Sequence, residues 1–162
     1  MTATPFRSAL AQAALARLQS QVPDLNPMRA RRAEVAEHER PLVVVATGDA
    51  EADETFSAGE TLWTVQLFVT AYLTTAHGTG ASGAANADRT AEDNAAEVER
   101  RIVAALNSVP LPRPGGGDLT CGVWVQSSTL DVLPAERAAV RLIDLTMVFM
   151  VRMLTPASNP VV

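Results

Sequence analysis

The sequence predicts a two-layer α+β domain, in which a mainly antiparallel sheet of four to five strands carries two helices packed on one face. Two segments, near residues 6–22 and 91–109, repeat apolar residues at three- and four-residue spacing, the signature of amphipathic helices. Two others, 62–75 and 138–154, alternate apolar and polar residues with period two, as half-buried strands do. With the shorter runs placed between them, the order is helix, three strands, helix, two strands. The 162 residues suit one domain, 1–162, with its core over about 6–154.

Composition narrows the function more than it defines it. Hydrophobic residues make up 48% of the chain, and 28 of these are alanines, so the share of large apolar residues is that of a globular protein. No apolar run reaches the ~18–20 residues a membrane helix needs, and no membrane partner is expected. The N-terminal stretch places Arg7 and Arg17 in an amphipathic pattern without a continuous apolar core, so it does not read as a secretory signal. The single cysteine, Cys121, excludes an internal disulfide framework and a cysteine-built zinc site. A net charge of −5 argues against a surface that grips a nucleic acid backbone. All thirteen basic residues are arginines, as a GC-rich genome would give.

Taken in order, Thr4 is the expected N-cap of the first helix and Pro5 its first helical residue. Phe6, Leu10, Ala13, Ala14, Leu18 and Val22 form its apolar face, and Pro23 and Pro27 close it. Arg29 to Val35 is expected as a polar edge strand. Pro41 to Thr47 is a β-branched strand closed by a Gly48-Asp49 turn, followed by an acidic connector holding Asp49, Glu51, Asp53, Glu54 and Glu60. In the long strand 62–75, Trp63, Val65, Leu67, Val69, Ala71 and Leu73 share one face. The Gly/Ala/Ser-rich stretch 76–89 is expected to be a mobile loop, and Thr90 with Asp93 resembles a capping box opening the second helix, which runs to about Ser108. Ala91, Ala95, Val98, Ile102, Ala105, Leu106 and Val109 form its stripe. Strand 119–130 is expected to turn Cys121, Val123 and Val125 inward, with a turn at 132–137. Strand 138–154 turns Ile143, Leu145, Met147, Phe149, Val151 and Met153 inward. Residues 155–162 are expected to fray.

The residues supply little for catalysis. His38 and His77 each stand without a second His or Cys at metal-ligand spacing. Cys121 lacks an obvious histidine to activate it. Pro114-Gly115-Gly116-Gly117-Asp118 has neither the Lys-Ser/Thr nor the following helix that would hold phosphate. The acidic connector lacks the glycine and flanking helices of a calcium loop. No catalytic residue, metal or cofactor is expected. What stands out is charge: Arg29, Arg31 and Arg32 on an edge strand, and Asp49, Glu51, Asp53 and Glu54 on a connector, are candidates for a contact between subunits.

The order of the elements resembles the tail terminator, or tail completion, proteins of long-tailed bacteriophages, the minor tail protein U type among them. The resemblance is carried by the amphipathic helix from Phe6 to Gln21, the polar strand after it, the string Glu39-Arg40-Pro41-Leu42-Val43-Val44-Val45, and Glu60-Thr61-Leu62-Trp63-Thr64-Val65-Gln66-Leu67-Phe68-Val69 opening a long strand around a Trp. A second helix and two final strands complete it over roughly residues 6–154. The segments 49–60 and 76–89 depart from the family's usual connectors.

What the resemblance implies is a structural virion protein that forms a homo-hexameric ring at the head-proximal end of the tail. Such a ring ends polymerisation of the tail tube protein, meets the head–tail connector (neck) protein, and lets DNA pass without specific binding. It is assembled in the bacterial host cytoplasm. An acidic balance suits a ring through which phosphate must slide. A neck protein or gene-transfer-agent tail component of the same fold is the near alternative. A small enzyme or ligand-binding domain with its site beside His77 is the alternative of another class.

Overall fold

In the computed structural model, the described residues are 5–29, 34–57, 59–75, 84–113, 116–136 and 140–156. Helix α1 spans Phe6–Gln21, and strand β1 (Pro27–Arg29) follows a single 3-10 turn. Strands β2 (Leu42–Ser57) and β3 (Glu60–Thr74) form a hairpin. Helix α2 (Ala84–Leu106) leads to β4 (Thr120–Pro134) and β5 (Arg141–Pro156). The five strands lie in the order β1-β2-β3-β5-β4. Every pairing is antiparallel except β1 with β2. This is the predicted α+β arrangement, with five strands.

Both helices cover the same sheet face. From α1, Phe6, Leu10, Ala14 and Leu18 are buried; from α2, Ala91, Ala95, Ile102 and Leu106 are. They pack in one cluster on Val43 and Val45 of β2, Val65 to Leu73 at alternate positions of β3, and Ile143 to Met153 at alternate positions of β5. Phe6 stacks on Trp63 with ring centroids 4.9 Å apart, and the indole N–H donates to Thr155 Oγ1 at 2.9 Å. The stack adds about 0.5–1.5 kcal/mol beyond the area it buries, and it fixes the start of α1 over the sheet.

Several boundaries differ from expectation. Pro5 is the N-cap of α1, with no side-chain cap bond, and Thr4 lies outside the described residues. Pro27 opens the edge strand β1, a position that tolerates its missing N–H, and Ala30 to Ala33 lie outside the described residues.

Gly48-Asp49 is not a turn. β2 runs through it with a register shift between Thr47 and Ala50, and the acidic connector is the second half of the strand. A Cβ at position 48 would collide with the Phe68 ring, so glycine is what lets the strand pass.

α2 begins at Ala84, so the end of the expected loop is helical and Thr90 lies within the helix rather than at its cap. Arg141 Nε donates to Asp88 Oδ1 at 2.5 Å and ties that first part of α2 to β5. Residues 76–83 lie outside the described residues. β4 continues to Pro134, so the first three residues of the turn expected at 132–137 are strand. β5 holds Thr155 at 2% exposure where fraying was expected. The expected alternation fails only on β4: register shifts at Thr120/Gly122 and Val125/Ser127 bury Thr120 and Val123 but leave Cys121 and Val125 exposed.

An ion pair outside the core joins α2 to the turn after α1. Arg101 donates to both Asp24 oxygens at 2.5 and 2.9 Å. That bond holds the Asp24 carboxyl below its ordinary 3.8, outweighing burial. A depressed carboxyl contributes stability above its unfolded pKa, and the contribution disappears as pH falls through the folded value. Asp24 is 57% exposed, so Asp24→Asn is expected to cost at most about 0.5 kcal/mol at pH 7, about 1–2 °C in Tm. The melting temperatures of the two proteins should converge as the pH falls below the ordinary carboxylate range.

Candidate functional site

Of the charged residues expected at a subunit contact, those within the described residues fall along one side of the sheet. Arg29 is exposed on β1, opposite Val45 of β2, and donates a long 3.5 Å bond to Ser8 Oγ of α1. Arg31 and Arg32 lie outside the described residues. Asp49, Glu51 and Asp53 are exposed on the second half of β2, and Glu54 follows on the same strand. Among the described residues β1 pairs only with Val43 to Val45, and from Gly48 onward β2 is the outermost described strand. The geometry therefore brings Arg29 and the acidic residues to the same edge, Arg29 at one end and the acids at the other. Glu51 pairs in register with Thr64, and so shares the sheet face that the helices leave bare.

That bare face is mixed rather than polar. Val44, Ala46, Phe68, Tyr72, Val148 and Met150 are half-buried on it among Thr64, Gln66, Thr70 and Thr146. Thr70 and Thr146 share a hydroxyl hydrogen bond of 3.2 Å across β3 and β5. At one end Arg40 lies over the Tyr72 ring, 5.4 Å from its centroid. Its Nη1 donates to Leu73 O and Ile143 O, both at 3.0 Å, and to Asp144 Oδ1 at 2.8 Å. One buried cation thus clamps β3, β5 and the chain entering β2. At the other end Arg152 lies over Trp124, 5.5 Å from the ring centroid, with Gly122 beneath.

Among the described residues the geometry brings no nucleophile and base together. His38 is exposed in a 3-10 turn over Glu37–Glu39, and His77 lies outside the described residues. Among the described residues no three of His, Cys, Asp and Glu are placed to hold a metal ion, and no helix is long and apolar enough to cross a membrane.

Cys121 sits between two shallow clefts of about 330 Å³ each. One is lined by Glu60, Arg113, Asp118 and Thr155 among others, the second by Ser108, Pro110, Val123 and Trp124 among others. Its exposure corrects the expectation of an inward-facing cysteine, and the cause is the β4 bulge at Thr120/Gly122. One equivalent of Ellman's reagent should therefore label the folded protein without denaturant. Cys121→Ser should change stability by less than ~0.5 kcal/mol. A thiol that reacts only after unfolding would show this bulge to be wrong.

Two residues of the site carried little sequence signal. Arg40 is one of several charges in Glu37-His38-Glu39-Arg40, and only its place immediately before the apolar run 41–46 marked it out. Arg152 is the one charge in the outward phase of strand β5 near its end, but its stacking partner Trp124 is 28 positions away.

No protein-family model matches this sequence, and no curated protein matches it. Among solved structures, the chain is similar to one from the virion of a native gene transfer agent particle. The likeness covers 91% of this chain and 96% of that chain, at 20% identity and a TM-score of 0.44.

Proposed function

We propose that this chain is a structural virion protein that caps a phage-type tail tube as a homo-hexameric ring. In that role it ends tube polymerisation at the head-proximal end of the tail and presents the surface that the neck protein joins. The observation that supports the reading best is the order of the elements. An amphipathic helix, a short polar edge strand, a strand entered through Arg40-Pro41, a long strand opening around Trp63, a second helix and two final strands follow one another as in tail terminator proteins. Both helices lie on one face, which leaves the other face and the sheet edges available for contacts with neighbours. The net charge of −5 supports passage of DNA through such a ring without retention.

Electron microscopy and light scattering of the purified protein test the reading. Six-fold rings in equilibrium with monomer are expected, shifting toward the ring with protein concentration, salt or divalent cation, because Asp49, Glu51, Asp53 and Glu54 repeat around it and need screening. A fixed dimer under every condition overturns it.

A further inference from the structure

Exposed large hydrophobic side chains among the described residues occur in only two places. Met28 is on β1; Trp124, Val125, Leu130 and Leu133 are on β4. These are the two opposite edges of one sheet. A confined apolar patch on an edge strand marks a contact, since an open edge with apolar side chains is otherwise a liability. On β4, the C-terminal end of α2 covers only the first half: Ser108 N–H donates to Val123 O at 2.7 Å, and Val125 N–H donates to Asn107 Oδ1 at 3.0 Å. From Ser127 to Leu133 the strand is exposed apart from half-buried Val132, and Asp131 is the one charged residue on it before Pro134.

From these observations, and resting on the ring reading above, we infer that the free half of β4 in one copy docks against β1 and the outer edge of β2 in the next copy. Strand direction permits it. β1 and β2 run parallel to each other, β3 opposite, β5 with them and β4 opposite again. Copies laid side by side without inversion therefore bring β4 against β1 in antiparallel sense.

Level permits it too. Reading across the register, Met28, Val44, Thr70, Thr146 and Thr129 form one row, so Met28 of the next copy arrives level with Thr129, one position from Leu130. Charge supplies the direction. Glu51, Thr64, Arg152 and Gly122 form a second row on the bare face. Gly122 has no side chain to block Arg152, which reaches over Trp124 to the β4 edge. Neither Glu51 nor Arg152 has an ion-pair partner among the described residues, and the two stand level on opposite edges. A head-to-tail contact brings them together; a two-fold contact between the free halves of β4 would leave both without a partner, since Arg152 is level with Gly122, outside that half. The contact is heterologous, the kind that closes into a ring.

Disulfide trapping tests the inference. In a Cys121→Ser background, the double variant Met28→Cys/Thr129→Cys is oxidised under mild conditions and run on a non-reducing gel beside each single variant. The expected result is a ladder ending at six copies for the double variant, dimers only for a mixture of the two singles, and monomer for either single alone. Asp131→Cys in place of Thr129→Cys covers a stagger of one step on the same face. Dimers from Thr129→Cys alone would show two β4 edges meeting and overturn the inference. Six-fold rings in micrographs with no cross-link from either pair also overturn it, while the ring reading stands. A ladder in samples without rings keeps the contact and overturns the closed hexamer; neither ladder nor rings overturns both. Charge reversal reads the same contact without cysteine: Glu51→Arg and Arg152→Glu should each lower the ring fraction at least 10-fold, and together they should restore it. Two single variants that leave the rings intact overturn the inference.

Discussion

Arg40→Met is expected to cost about 3 kcal/mol and to lower Tm by roughly 6–12 °C, measured by circular dichroism melting at pH 7. The Arg40 side chain is 4% exposed and spends one nitrogen on Leu73 O, Ile143 O and Asp144 Oδ1 together. Removing it leaves a carboxylate without its cation and takes a charged donor from two strand carbonyls. The cost sits at the low end of the range for breaking a buried pair because Asp144 is 28% exposed and water reaches it. Asp144→Asn should cost less than Arg40→Met, since Arg40 keeps both carbonyls. The double variant Arg40→Met/Asp144→Asn should cost less than the sum of the two, because each single change already removes the shared contact. Arg40→Lys should recover only part of the loss: an ammonium can offer protons to the three acceptors that Nη1 now serves, but it cannot lie flat over the Tyr72 ring as the guanidinium does. Additive effects, or a shift below 2 °C for Arg40→Met, would show that the clamp is not what joins β3 and β5 to the chain entering β2.

The same residues show what a sequence can and cannot disclose. The inward faces of β3 and β5 were legible residue by residue, because both strands are central and each bears one wholly buried face. The inward face of α1 was legible for the same reason. What failed lies at the edges. The second half of β2 has only β3 beside it and little to bury, so Asp49, Glu51 and Asp53 carried no alternation and looked like a connector. β4 is the other edge, and its two bulges shift the phase that places Cys121 and Val125. The start of α2 was hidden differently: alanine and small polar residues give no periodicity, and helix propensity there is supplied by alanine rather than by an apolar stripe. Arg40 and Arg152 were invisible as site residues because their partners, Asp144 and Trp124, are distant in sequence and meet only through strand register.

Charge reversal at Arg29, Arg31 and Arg32 is expected to abolish particle assembly, whereas Ala at His38, His77 or Cys121 is expected to leave it nearly intact. The readout is complementation of particles deficient in this protein, with folding of each variant checked by melting. Arg29 sits on β1 beside Met28, at the edge proposed to receive β4 of the neighbouring copy, and it is exposed with only a 3.5 Å bond to Ser8 to lose. Its replacement by Glu should therefore leave the fold standing. At the contact the change acts differently, because β4 carries Asp131, is followed by Glu136 and has no basic residue between Thr120 and Glu136. Reversal then adds negative charge to an edge that meets only acidic residues across the contact. A penalty of only about 1 kcal/mol at each contact becomes about 6 kcal/mol in a six-membered ring, roughly four powers of ten in its equilibrium population. His38 and Cys121 are exposed side chains, and truncating Cys121 removes neither core packing nor a charge pair. If the triple-Glu variant folds and still yields joined, infectious particles while His77→Ala does not, the structural role is wrong and a site built around His77 takes its place.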